Sequence, residues 1–203
     1  MMVLNLCKKL CPEKIPAEPG ELAGSGADGE VFVLVNDPTK VMKLSVIYDA
    51  FDGQSPTATY FNQIEPILRH IMSTSPSHCV RMYECEFMGE YSRNWCGGNQ
   101  DFVIHYCIMD RLQKLTEDEK KVFHSLISHE DGNIEKDLST ARVKGIIEGL
   151  SKGLDFDEKE VMLFCQRLRE SSLVHSDLHP RNVMKCATGQ FKLIDFDRAT
   201  IQH

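Results

Sequence analysis

No run of this chain approaches the roughly 18 apolar residues that a membrane-spanning helix needs. The N-terminus, Met1 to Cys11, lacks both a long apolar core and a small-residue cleavage site, so no secretory signal peptide is expected. Positive charge is scarce: 23 Lys and Arg face 30 Asp and Glu, for a formal net charge of −7. A general nucleic-acid binder needs clustered cations to displace counterions, so that class is excluded, although a local basic cleft is not. None of the eight cysteines forms a C-x-x-C pair, and the Cys7/Cys11 spacing has no second pair to complete a zinc site. They read as reduced thiols of a cytoplasmic protein. There is no internal repeat and no low-complexity tract. What remains is an ordinary globular composition in 203 residues, enough for one compact unit or for two lobes sharing a cleft.

The chain is β-rich first and helical later. Residues 11–20, rich in Pro and Glu, read as an extended lead-in. Val31-Phe32-Val33-Leu34-Val35 is a β-rich run, and Asn36-Asp37-Pro38-Thr39 supplies turn chemistry. Lys40-Val41-Met42-Lys43-Leu44 resumes as a second strand, which makes a hairpin. Phe61, Ile64, Leu68 and Ile71 recur at helical spacing and predict a helix over 57–72. Residues 79–88 and 101–109 predict two more strands, joined by a Gly-rich loop at Cys96-Gly97-Gly98-Asn99. Thr116-Glu117-Asp118-Glu119 is a capping box ahead of Val122, Phe123, Leu126 and Ile127. A polar loop at 129–133 and a helix over 142–150 follow. Asp157 begins a third helix with Val161, Phe164, Cys165 and Leu168 on its apolar face. Leu173-Val174 and residues 191–194 are expected to form a small hairpin-like element around a polar loop. The fold class is α+β with two lobes.

Gly24-Ser25-Gly26-Ala27-Asp28-Gly29-Glu30-Val31 fits G-x-G-x-x-G-x-V. Such glycines permit positive φ and close approach of backbone N–H groups to phosphate oxygens. The pattern also fits a dinucleotide-binding loop, but that loop must lead into a helix, and here a β-rich run follows. By itself it equally suits a glycine-rich surface turn. Lys43 lies among apolar strand residues, so alternation assigns it to one face. From a cleft face its ammonium reaches α- and β-phosphates; otherwise it is an exposed strand lysine. Lys40, beside the turn, competes with it and reads as solvated.

The most specific signal is Leu173-Val174-His175-Ser176-Asp177-Leu178-His179-Pro180-Arg181-Asn182, followed by Ile194-Asp195-Phe196-Asp197. Phosphoryl transfer needs a carboxylate to orient the attacking hydroxyl, and an amide oxygen and a second carboxylate to hold magnesium. Asp177 suits the first task; Asn182 and Asp195 suit the second.

Together these residues resemble the protein-kinase-like superfamily. The glycine loop, Val-Met-Lys, His-Ser-Asp-Leu-His-Pro-Arg-Asn and Asp-Phe-Asp stand in its order over roughly Glu21 to Asp197. The resemblance implies a β-rich N-lobe over 1–112 and a truncated helical C-lobe over 113–203. It implies ATP and Mg2+ as cofactors. Phosphates would be held by Gly24, Ser25, Gly26, Gly29 and Lys43, under Val31. Adenine would lie against Met109, the Asp110 carbonyl and the Leu112 N–H. Glu65 would be the helix partner of Lys43, although Pro66 means that the helix either begins near there or kinks.

Three departures bear on the acceptor. Ser176 precedes Asp177 where many protein kinases carry Arg, which argues against control by a phosphorylated activation loop. Asp-Leu-His-x-x-Asn is similar to small-molecule kinases of the choline and aminoglycoside type, and Asp197 in place of Gly leans the same way. Asp197 suits either a metal ligand or a turn cap. The chain ends shortly after Asp197, without the usual peptide-binding platform, so a partner or self-association is expected to complete the short C-lobe. The expected activity is phosphorylation of a hydroxyl, first of Ser or Thr in a protein. A small-molecule acceptor and a nucleotide-binding pseudokinase are the alternatives. Neither nucleic acid nor membrane is expected as a partner.

Overall fold

The structure, a computed structural model, describes residues 2–26, 29–48, 54–95, 98–127 and 138–202. Ala27 and Asp28 of the glycine loop, Cys96-Gly97 of the next loop and the polar loop at 129–133 lie outside the described residues. The chain falls into two compact units. One comprises Met1–Ser75 and Arg81–Arg111; the other comprises Pro76–Val80 and Leu112–His203. Among the described residues no helix is long and apolar enough to cross a membrane.

The first unit is built on five antiparallel strands in the order β1-β2-β3-β5-β4. These are β1 (Pro19–Ser25), β2 (Gly29–Leu34), β3 (Lys40–Tyr48), β4 (Met82–Trp95) and β5 (Gly98–Asp110). The pleat gives the sheet two apolar faces. Phe32, Met42, Leu44, Ile104 and Ile108 share one of them with helix α1 (Val3–Leu10), whose Val3, Leu4 and Cys7 are buried there. The sequence alone names no element over Val3–Leu10, and the structure adds this helix. Lys43 stands opposite Val31 on β2 and Cys107 on β5, on the other face.

A helical segment covers that second face. It comprises α2 (Pro56–Thr59), one π turn (Tyr60–Ile64) and α3 (Glu65–Thr74). Ser55 caps it, its side chain accepting the Ala58 N–H. The Glu65 N–H reaches back five residues to the Tyr60 carbonyl, which admits Pro66 at the second position of α3. The wide turn also rotates the face. Ile64, Leu68 and Ile71 are buried as expected, but Tyr60 takes the inward place and Phe61 stays 43% exposed.

In the second unit the caps form as the sequence indicates. Glu119 N–H donates to Thr116 Oγ1 (3.2 Å), and Thr116 N–H donates to Glu119 Oε2 (2.8 Å), opening α4 (Glu117–Ile127). Ser139 caps α5 (Thr140–Leu150), and Asp157 caps α6 (Glu158–Glu170). Val161, Phe164, Cys165 and Leu168 are buried. Phe123, Phe164 and Phe191 meet edge to face at centroid separations of 4.9–6.2 Å.

Two strand expectations need correction. The strand expected over 79–88 begins at Met82; Cys79 instead bridges Leu193, and Val80 N–H donates to Leu193 O. The hairpin expected between Leu173-Val174 and residues 191–194 is partnered otherwise. β6 (Leu173–Val174) pairs with β9 (Thr200–Ile201), while β7 (Val183–Lys185) pairs with β8 (Phe191–Leu193). The β7–β8 turn is closed by Gly189 at φ +89°, a conformation that favours glycine.

Candidate functional site

In the first unit, β1 and β2 meet at the glycine loop. Gly24 lies opposite Val31, Ser25 lies opposite Glu30, and Gly26 N–H donates to Gly29 O at 2.9 Å. Positive φ among the described glycines occurs at Gly89 and Gly189, so conformational freedom does not explain Gly24, Gly26 or Gly29. Clearance explains Gly29, where a Cβ would stand 2.7 Å from the Leu44 carbonyl oxygen; Gly24 and Gly26 have open space where a side chain would be, so the fold itself does not demand glycine there. Lys43 Cε passes 3.6 Å from the Cβ position of Gly29, so the lysine stem lies against the loop. Gly29, Val31 and Lys43 are therefore gathered together.

The remaining candidates of this unit are more dispersed. Glu65 Oε1 accepts from Arg69 Nε (2.8 Å) and Nη2 (2.6 Å) one helical turn on, an exposed pair that leaves Oε2 outside the Arg69 bonds. Met109 is buried near the end of β5, opposite Val41 and Met82. Asp110 closes that strand; its Oδ1 accepts the Tyr83 hydroxyl at 2.7 Å and its N–H donates to Arg81 O. Lys40 is paired with Asp37 at 2.9 Å beside the turn.

In the second unit, Leu112 leads into an antiparallel bridge between Gln113 and Lys185. Asp177, Asn182 and Ile194, the residue before Asp195, are joined by a chain of bonds. Asn182, 5% exposed, donates Nδ2–H to the Asp177 carbonyl at 3.0 Å, and its own carbonyl accepts the Ile194 N–H at 2.9 Å. The Ile194 carbonyl faces His175 Nε2 at 2.8 Å. That partner is an acceptor, so Nε2 carries the proton. Burial pushes the His175 pKa below its ordinary value, against the bond to Ile194, so the ring is neutral at neutral pH. Phe196, 2% exposed, packs on the ring at 5.4 Å between centroids. Ser176 (φ 57°) and Asp195 (φ 65°) both occupy the left-handed region, each at a cost of about 1 kcal/mol. Asp197 begins the turn in which Ala199 N–H donates to Phe196 O.

With Nδ2 engaged by the Asp177 carbonyl, Asn182 keeps Oδ1 as an acceptor. An amide oxygen and a carboxylate such as that of Asp195 are hard donors of the kind that suits magnesium shared with phosphate and water. Among the described residues no group of three or more His, Cys, Asp and Glu side chains is assembled for a metal. The Asp177 side chain is 42% exposed and lies 3.9 Å from His179 Nε2. His179 Nδ1 accepts the Arg181 N–H at 3.1 Å, which steadies the loop.

Sequence reasoning missed two supports of these loops. Glu30, between Gly29 and Val31, is 3% exposed and accepts the Leu4 N–H. Glu119, 2% exposed, accepts Lys185 Nζ at 2.5 Å and ties α4 to β7. The first leaves a local trace in the helical spacing of Val3, Leu4 and Cys7; Glu119 is legible as part of the capping box, but not as the partner of Lys185.

The elements stand in the order of a protein-kinase-like fold: glycine loop between β1 and β2, lysine on β3, helix before β4, then the helical unit with the Asp-Leu-His-x-x-Asn loop. No protein-family model matches the chain. Among solved structures it is similar to a Stt7 homolog from Micromonas algae soaked with ATP, at TM-score 0.47 and 18% identity over 92% of this chain and 52% of that one. It is also similar to the ROP18 kinase domain in complex with AMP-PNP and sucrose, at TM-score 0.43 and 14% identity over 90% and 52%. The chain thus spans about half the length of the structures it matches.

Proposed function

We propose that this chain is a cytoplasmic kinase that binds ATP with magnesium and transfers the γ-phosphoryl group to a hydroxyl, that of Ser or Thr in a protein. The observation that carries the reading is the bonded series Asp177 carbonyl, Asn182, Ile194, His175. The series ties together the loop segments that carry the Asp177 carboxylate, the Asn182 amide oxygen and the Asp195 carboxylate.

The roles follow from the chemistry of each group. Lys43, beside Gly29, supplies positive charge to the phosphates, and the clearance at Gly24 and Gly26 lets backbone approach them. Met109, Asp110 and Leu112 bound the adenine. Asn182 Oδ1 and Asp195 would hold magnesium, with Asp197 near; the ion would neutralise charge developing on the transferred group. Asp177 orients the acceptor hydroxyl and takes its proton, a contribution of about 100- to 10,000-fold in rate. Glu65, bonded to Arg69 through Oε1, steadies the helix and has its second oxygen to offer Lys43.

Incubation with γ-labelled ATP tests this. Label appearing on protein Ser or Thr supports the reading. Label on a metabolite favours the small-molecule alternative, which the Asp-Leu-His-x-x-Asn pattern and Asp197 recommend. Nucleotide binding without transfer in any fraction makes the chain a pseudokinase and removes the enzyme reading.

A further inference from the structure

On the second unit, α4 and the turn after Asp177 enclose a groove of about 560 Å³. Lys120, Lys121 and His124 line one wall; His179, Pro180 and Arg181 line the other. Among the described residues that line it, Glu117 is the one carboxylate, against three fixed cations, on a chain whose formal net charge is −7. We propose that this groove receives an acidic segment of the acceptor, so that the Ser or Thr presented to Asp177 is flanked by Asp or Glu. The inference rests on the phosphotransfer reading and names its acceptor class.

Three observations carry it. The groove opens beside the candidate acceptor carboxylate, since His179, one of its walls, lies 3.9 Å from Asp177 Oδ2. Its walls are anchored: the capping box fixes the start of α4, Glu119 ties that helix to Lys185, and the 180–182 turn carries the bonded Asn182. Its cations are available. Lys120 pairs with Glu117 at 2.6 Å, but both side chains are well exposed, and such pairs are worth little and exchange readily. Lys121 pairs with Asp118 at 3.0 Å, an equally exposed partnership on the lysine side.

The spacing favours a peptide over a lone anion. Lys120 to His124 is one helical turn, about 6 Å of rise at 1.5 Å per residue. Two residues of extended chain cover about the same distance. Carboxylates on an extended segment can therefore follow the wall from Lys120 and Lys121 to the His124 ring, which offers a hydrogen-bond donor one turn on, whereas a single small anion engages one end only.

Fluorescence anisotropy with the full chain and no nucleotide tests the groove directly. The probes are labelled Ser peptides flanked by Asp and Glu, by Asn and Gln, or by Lys. The acidic peptide is expected to bind about tenfold more tightly than the neutral one and to weaken as salt is raised. K120E/K121E should lower its affinity about tenfold and improve that of the Lys-flanked peptide; K120Q/K121Q should shift both in the same directions by less. If the Glu variant does not fold by circular dichroism, the Gln variant decides.

Equal affinity for acidic and neutral peptides overturns the inference, as does undiminished acidic binding in both folded variants. Displacement of the acidic peptide by inorganic phosphate, beyond the effect of chloride at equal ionic strength, also overturns it, because the groove would then serve a small anion. Adding ATP separates the two readings. Acidic binding without transfer sinks the enzyme and leaves the groove, whereas transfer without acidic preference sinks the groove alone.

Discussion

The Glu30 carboxylate, next to the last glycine of the loop, accepts the Leu4 backbone N–H at 2.9 Å and that of Met2 as well. A strand residue thus supplies the N-terminal cap that α1 lacks in its own sequence. Glu30→Ala leaves buried N–H groups without this acceptor and should cost about 1–3 kcal/mol in urea unfolding; Glu30→Gln, which keeps one acceptor, should cost less. Burial alone would raise the Glu30 pKa, but the bonds it accepts at the start of α1 prevail and lower it. With the folded value below the unfolded one, the stabilisation is present above the unfolded pKa and is lost as pH falls through the folded one. The unfolding curves of the native chain and of Glu30→Gln should therefore converge in acid. A gap of constant size down to about pH 2, below the unfolded carboxylate range, would contradict this.

Asn182 offers a different test, because one side chain both braces the loop and faces the proposed metal. Asn182→Ala removes the bond to the Asp177 carbonyl and should cost about 1–3 kcal/mol, together with most magnesium-dependent nucleotide affinity. Asp177→Asn leaves that main-chain bond intact, so stability and ATP binding should persist while transfer falls by about 100-fold or more. Thermal unfolding, nucleotide titration and phosphate transfer, measured on both variants, separate the brace from the chemistry. Equal transfer by Asp177→Asn and the native chain would end the assignment of Asp177.

These parts differ in how far the sequence discloses them, and the difference follows interaction range. The Thr116–Glu119 capping box, the Asp157 cap and the Val161, Phe164, Cys165, Leu168 face are decided within one or two helical turns, and the structure has all of them. The convergence of Asp177 and Asn182 is nearly as local, through a main-chain bond five residues apart. By contrast, α1 depends on Glu30, and α4 is tied down by Lys185, partners that no local pattern marks. The β7–β8 pairing turned on short runs without periodicity, where Leu173-Val174 and Val183-Met184 are equally apolar and Gly189 decides. The π turn left only Pro66 as a trace, and it shifted the buried position from Phe61 to Tyr60.

Two residues beside the candidate chemistry hold left-handed backbone, Ser176 at φ 57° and Asp195 at φ 65°. Asn tolerates that region better than a residue with a branched or apolar side chain. Asp195→Asn should therefore keep the unfolding midpoint close to that of the native chain and remove magnesium-dependent nucleotide affinity. Asp195→Ala should lose both the affinity and about 1 kcal/mol of stability. Ser176→Gly relieves the strain at its own position without touching a proposed ligand. It should leave stability unchanged or raise it by up to about 1 kcal/mol, after the greater freedom of glycine in the unfolded chain is deducted. Equal losses of stability in Asp195→Asn and Asp195→Ala would show that charge, not backbone conformation, governs that site.

His78 gives the second unit an acid-sensitive element away from the proposed chemistry. It is 3% exposed, and its main-chain carbonyl accepts the Leu193 N–H at 2.7 Å. Burial pushes its pKa down to about 4, and the charges of Lys192 and Arg167 act in the same direction. The unfolded chain takes up that proton near pH 6.5, the ordinary histidine value. Between about pH 6.5 and 4 the unfolded state thus binds more protons than the folded one, so stability falls with pH across that window, by at most about 1.4 kcal/mol per pH unit. His175, also shifted downward by burial, contributes a slope of the same sign. His78→Gln should flatten the profile while leaving the His175 part in place. Urea unfolding at half-unit pH steps would measure the difference, and superimposable slopes for the two proteins would show that His78 accepts its proton in the folded state.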